Sequence, residues 1–488
     1  MSKKNQNYTN RKQNRFQPER MRGNVFLNNS GKHWLPGENG RAAKVERLLR
    51  GIKEEKKEIA GNMAGYKDSG VEEVKFIPKD WNTLRMKDAF NISKEIIGDK
   101  WTKAVLLSLT TNGVKSITAD EQVGKRPKTF ATYQRVTKND IVMCLFDLDA
   151  SAVFSGLSGY DGMISPAYKI LKTKEQVLPE FANYYFQYIF EGRKYKKYAK
   201  SIRYTLSGEE FLRLLIVLPP LPEQQRIADF LDTKCGILDR TIDAVNRQIE
   251  DLEKYKKALI TKTVTKGICK KGEPERAMKD SGVEWIGEVP EEWSVSKVKY
   301  NFSTFKKIPG KESEKYERLS LTMNGVKHRE KWTAEGLQPK DFMSYQLLRK
   351  GDLVFRLIDL QNPSKSRRVA LSHDTGLISP AYTILHADNN KMLPEYAEMF
   401  FLMMSYLDVF NALGSCGVRS SINNAELMKI SVLVPPLAEQ QQIADYLNEK
   451  CKNIDNRVQK RRQQLERLKK YKKSLIFDYV TGKKRVEK

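Results

Sequence analysis

Apolar positions along this chain follow two regimes, and each regime occurs twice. Short apolar runs at 141–146 and 353–358, each after a polar turn (Asn139-Asp140, Gly351-Asp352), predict buried strands. Farther on, the period changes. Leu238, Ile242, Val245, Ile249, Leu252 and Leu259 fall at spacings of 4, 3, 4, 3 and 7, a heptad stripe with Lys256 in the skipped place. A second stripe runs through Ile454, Val458, Leu465, Leu468 and Leu475, with Arg461 and Lys472 interrupting it. Glu, Lys, Arg and Gln fill the remaining faces. Two amphipathic helices of about 35 residues would each reach roughly 50 Å, and neither can hide its stripe alone in water. Each could pack on its own domain, or the two could pair antiparallel as a coiled coil that holds two bodies apart. Matching stripes and lengths favour the coiled coil.

The doubling extends to the letters. LPPLPEQQRIADFL at 218–231 returns as VPPLAEQQQIADYL at 434–447. KDSGVE begins at Lys67 and Lys279, ISPAY at Ile164 and Ile378, and YKK-LI at Tyr255 and Tyr471, 212 to 216 residues apart. Pro78 with Trp81 matches Pro290 with Trp293; Pro127, Phe130, Tyr133 and Gln134 match Pro339, Phe342, Tyr345 and Gln346. Asn-Gly in LSLTTNGVK and LSLTMNGVK marks a tight turn that needs positive φ. Pro219, Pro220 and Pro222 stop the preceding element and fix an extended lead into the helix. Each copy therefore reads as an α+β domain of about 150 residues followed by a long helix. The two copies are related by a pseudo-two-fold axis, and their natural partner is a long object met at two places. The copies diverge most just before ISPAY, FSGLSGYDGM against KSRRVALSHDTGL.

Composition narrows the partner's sign. At 488 residues, 40% hydrophobic and 30% charged, the chain suits several soluble domains. No run approaches the roughly 18 apolar residues that span a bilayer, and the basic, polar N-terminus is not a secretory signal. A net charge of +27 calls for a polyanion, and DNA, RNA and an anionic membrane all fit it. Five scattered cysteines without a CxxC pair read as reduced thiols of a cytoplasmic protein with no zinc site; Cys235 and Cys451, at matching places, read as apolar fillers. Residues 1–40 read as a disordered basic arm, either nucleic-acid binding or merely solubilising, and 41–66 as a charged helical extension weakened by Gly51.

The paired PPLxEQQxIA strings, KDSGVEWIGEVPEEW at 279–293 and ISPAY resemble the specificity subunit of a type I restriction-modification system, from about residue 67 to 488. The resemblance implies target-recognition domains at 67–217 and 279–433 and spacer helices at 218–268 and 434–482, the helices forming an antiparallel coiled coil. Each domain would read half of a split site in double-stranded DNA, with the helices fixing the unread spacer. Partners would be two modification subunits, which use S-adenosylmethionine to methylate adenine, and two restriction subunits, which use ATP and Mg²⁺ to translocate and cleave. No cofactor is expected on this chain, and no membrane. Members usually begin near KDSGVE, so the preceding residues would be an addition to the bundle, a contact with a modification subunit, or an appendage.

The residues themselves agree with a chain that positions rather than catalyses. No Asn- or Asp-Pro-Pro-aromatic motif for a flipped adenine occurs, nor a GxxxxGK[ST] phosphate loop, and His33, His328, His373 and His386 lack metal-ligand spacing. Asp147, with Asp149 beside it, matches Asp359; a nuclease carboxylate pair is one reading, and a strand-end turn or buried hydrogen bond is the favoured one. Base edges are read by Arg, Lys, Asn and Gln, while phosphate contacts hold register. The candidates for DNA contact are Lys115, Lys125, Arg126, Lys128, Arg203 and Tyr204 in the first copy. In the second they are Lys327, His328, Arg329, Lys340, Lys365, Arg367, Arg368 and Arg419. Arg203 and Arg419 hold equivalent places. Shared scaffold with unlike loops suits two unlike half-sites. The competing classes are a stand-alone or orphan nucleic-acid scaffold and an enzyme in its own right.

Overall fold

The structure is a computed structural model. It describes residues 65–487 except 112, 119, 122–126, 152, 192, 200–202, 269–271, 273–275, 331–340, 362–366 and 415–419. The arm at 1–40, nearly all of the 41–66 extension, and Lys125, Arg126, Lys340, Lys365 and Arg419 lie outside the described residues.

The two stripes become two helices, Leu221–Lys266 and Leu437–Val480. Each starts just after Pro220 or Pro436, whose fixed φ suits the first turn. Leu218 and Val434, read as the first residues of the helical segments, instead end short strands. The helices run antiparallel. Asp239 pairs with Lys472 at 2.7 Å, Glu253 with Arg462 at 2.8 Å and Lys256 with Asp455 at 2.7 Å, so partner numbers fall as helix numbers rise. All eleven stripe residues belong to one apolar cluster, which also holds the first domain's core. Full burial of an aliphatic side chain contributes roughly 1.5–3 kcal/mol, and an exposed ion pair under about 1 kcal/mol. The stripe therefore supplies the cohesion and the ion pairs the register. Lys256 and Lys472, two of the three interruptions, reach the partner helix's aspartates, while Arg461 bonds Gln464 on its own helix.

Each copy builds the same body. In the first, a four-stranded antiparallel sheet runs in the spatial order Phe90–Ser93, Lys169–Thr173, Ile141–Met143, Ser155–Leu157. In the second the order is Phe302–Ser303, Thr383–Ala387, Leu353–Phe355, Val369–Leu371. A 13-residue helix, Pro179–Glu191 or Pro394–Tyr406, supplies buried aromatic and aliphatic side chains to the same cluster as the sheet. The strand leading into each body pairs antiparallel with the strand leading out: Asn82–Arg85 with Leu215–Leu218, and Ser294–Lys297 with Ser431–Val434. The first body shares its cluster with Ile227, Leu231 and Leu238 near the start of the first long helix and with Leu475 and Val480 near the end of the second. The second body takes Ile260 and Val264 from the first helix and Ile443 and Leu447 from the second. Cys235 and Cys451 sit buried in these seats, and burial pushes both thiols up to about 11.

The repeated letters have physical reasons. In KDSGVE, the main-chain N–H of Gly70 donates to Asp68 Oδ1 at 2.9 Å and that of Gly282 to Asp280 Oδ1 at 3.0 Å, and both glycines hold positive φ. In PPLxEQQ, the glutamate accepts from a fully buried tryptophan: Trp81 Nε1 to Glu223 at 3.1 Å, Trp293 Nε1 to Glu439 at 2.8 Å. The first glutamine satisfies the loop before the 13-residue helix. Gln224 accepts from Leu178 N and donates to the Gln176 and Pro219 carbonyls; Gln440 does the same with Leu393, Lys391 and Pro435. Gln134 and Gln346 each donate to two carbonyls of the ISPAY turn.

The last residues close the molecule. Arg485 bonds Glu223 at 2.7 and 2.9 Å and also reaches Asp80, Tyr66 donates to the Gly482 carbonyl at 3.0 Å, and Lys483 donates to the Phe76 carbonyl at 2.9 Å. In the other half, Arg276 bonds Glu439 at 2.5 and 2.9 Å and Glu292 at 2.8 Å. One junction is covalent, between the first long helix and the second body. The other is made by hydrogen bonds between the segment after the second long helix and the start of the first body and of the first long helix.

Candidate nucleic-acid interface

Each body carries a β-hairpin with exposed cations and, after a central strand, a left-handed turn. The hairpin Leu107–Thr110/Gly113–Ser116 carries Lys115 exposed, and Arg318–Thr322/Gly325–Arg329 carries Lys327, His328 and Arg329 exposed along one strand. Gly113 and Gly325, both at φ +87°, make the tight turns that Asn-Gly announced. His328 sits between two carboxylates, 2.5 Å from Glu317 and 3.1 Å from Asp374. Lys128 is exposed on the loop before Phe130.

The second feature is a left-handed aspartate. After Ile141–Met143 the chain turns at Asp147 with φ +50°; after Leu353–Phe355 it turns at Asp359 with φ +55°. The carbonyl of Asp147 accepts from the N–H groups of Ala150 and Ser151, so the matched aspartates are strand-end turns. Arg203, exposed, pairs with Asp147 at 3.2 Å, and buried Arg356 pairs with Asp359 at 3.3 Å. Tyr204 is half-buried; its carbonyl accepts from Leu148 N, and Lys196 lies 4.0 Å over its ring.

Two candidate residues face inward. Arg368 is 8% exposed and its guanidinium is spent on main-chain carbonyls: Ile358 and Asp359 at 3.1 Å, Leu360 at 2.6 Å. Burial, with neighbouring Arg356, pulls its pKa below the usual arginine range. It is corrected from a DNA contact to an internal brace. A basic residue in KSRR reads the same in sequence whether it points in or out. Arg367 is half-buried and pairs with Glu398 on the 13-residue helix at 3.4 Å, while its N–H meets the hairpin at the Thr322 carbonyl. Sequence reading missed Arg193, which donates to the carbonyls of Leu148 at 3.0 Å and Ser151 at 2.8 Å; no periodicity or motif marks it.

Among the described residues, no group of three or more His, Cys, Asp or Glu side chains is arranged to hold a metal ion, and no helix is long and apolar enough to cross a membrane. Asp149 reaches Lys196 at 3.9 Å.

Known proteins show the same pattern. The family described as "Type I restriction modification DNA specificity domain" matches residues 78–254 and 381–467. The MjaVIII type I restriction enzyme specificity subunit of Methanocaldococcus jannaschii is 26% identical over 455 residues, covering 87% of this chain and 98% of the relative. The putative MjaX specificity subunit of the same organism is 25% identical over 449 residues, covering 86% and 98%. A chain solved in work on complex assembly and conformational transition of the type I R-M system has the same fold. It is 13% identical, with a TM-score of 0.58, and the match covers 84% of this chain and 99% of that one. Duplicated bodies, the tryptophan-bound PPLxEQQ glutamates and a family match over more than half of the sequence lead to one statement: the chain belongs to the type I restriction-modification DNA specificity family.

Proposed function

We propose that this chain is the sequence-reading, non-catalytic subunit of a type I restriction-modification complex. Each body is a target-recognition domain that reads one half of a bipartite site in double-stranded DNA. The long helices form the coiled-coil strut that sets the unread spacer. Two modification subunits carry S-adenosylmethionine and methylate adenine; two restriction subunits carry ATP and Mg²⁺. The observation that carries this reading is that the two like bodies seat at opposite ends of one antiparallel helix pair, as reading one duplex at two places requires.

Methylation-sensitive sequencing of a host expressing the chain with its neighbouring methyltransferase subunits tests it. The expected result is one motif of two short halves around an unread gap. A contiguous motif, or methylation by the purified chain alone, overturns the reading. Exchanging residues 86–214, the segment between the paired strands, for the matching segment of a relative should change one half-site only; a change in both would contradict modular recognition.

A further inference from the structure

Each body locks its left-handed turn with an arginine, and the two arginines come from different places in the chain. In the first body Arg193 follows the 13-residue helix and donates to the Leu148 and Ser151 carbonyls. In the second Arg368 precedes the strand Val369–Leu371 and donates to the carbonyls of Ile358, Asp359 and Leu360. The duplicate position of Arg193 is Asp408, likewise left-handed, and that of Arg368 is Phe154. The brace was therefore not simply inherited from one ancestral arginine.

The braced turn is tied to the segments that carry candidate cations. Leu148 N donates to the Tyr204 carbonyl at 3.2 Å, and Leu360 N to the Ser420 carbonyl at 3.0 Å. Arg203 pairs with Asp147 itself, and Arg367, next to Arg368, meets the second hairpin. A non-glycine residue at positive φ costs on the order of 1 kcal/mol or more and persists where its surroundings hold it. A buried guanidinium commonly leaves a protein no more stable than an apolar side chain of similar volume would. For buried Arg368, stability therefore does not account for the brace, whereas fixing one conformation does; exposed Arg193 makes the same kind of bonds to its own turn.

We propose that Arg193 and Arg368 are positioning residues for base reading. Each holds rigid the turn that presents the reading loops of its own body, so each governs discrimination at one half-site. This rests on the proposed function, in which each body reads one half.

The test uses the full chain bound to its methyltransferase subunits and a pool of random duplexes, with bound sequences counted. Failure of the wild type to select a bipartite motif would sink the functional reading and, with it, this inference. Given that motif, Arg368→Met should reduce the penalty for mismatches in one half at least tenfold, and Arg193→Met in the other half. The salt dependence of binding should stay unchanged, because on this proposal each guanidinium acts through main-chain carbonyls and not through a phosphate. Arg368→Lys, which keeps a donor, should recover part of the discrimination. Equal loss in both halves, an unchanged motif with only a lower melting point, or a salt slope reduced by about one overturns the inference. Arg193 lies on an exposed position, so its variant keeps the test available even where removal of buried Arg368 prevents folding.

Discussion

Arg485→Ala is expected to destabilise the first body by about 2 kcal/mol, although the residue lies close to the end of the chain. The Glu223 side chain is 5% exposed and accepts from Trp81 and Arg485. Removing the arginine leaves a buried carboxylate with one neutral donor. Breaking a fully buried pair costs roughly 3–5 kcal/mol; the Arg485 side chain is half-exposed, which lowers the figure. Thermal unfolding should move down by about 4–8 °C for a unit of this size. Glu223→Gln combined with Arg485→Met should recover more than half of the loss, since the stranded charge is gone. The matching Arg276→Ala should cost less, because Glu439 is more open to water and the junction there is continuous chain. Equal losses for the two variants would refute this account.

Shortening the strut should move the halves of the recognised site without altering their letters. Removing residues 242–248 and 464–470 takes one heptad from each helix at facing positions, since Asp239 faces Lys472 and Glu253 faces Arg462. The stripe stays in phase across both cuts. Each cut removes about 10 Å, close to the rise of three base pairs at 3.4 Å each. The mapped motif should keep both half-sites with a gap up to three base pairs shorter. An unchanged gap would end the role of the helices as a ruler.

Repetition and periodicity were the legible parts of the sequence. The seam residues could be read because a heptad stripe on a charged helix has few ways to leave water. The aspartate turns could be read because an acidic residue ended the same apolar run twice. Arg368 was misread, because a cation inside and a cation outside carry the same letter. Arg193 and the Arg485–Glu223 bond were invisible, because they join segments 42 to 262 positions apart with no pattern linking them. The first glutamine of each PPLxEQQ helped to identify the family, yet its work, closing carbonyls and an N–H group of a distant loop, emerged only in three dimensions.

The shared apolar cluster also sets an order of assembly on the ribosome. The first body needs Leu468, Leu475 and Val480 to complete its interior, and these follow the whole second body in the sequence. Nascent chains therefore carry an unfinished, sticky surface while the second body is being made, and the earlier half is completed only after the later one has emerged.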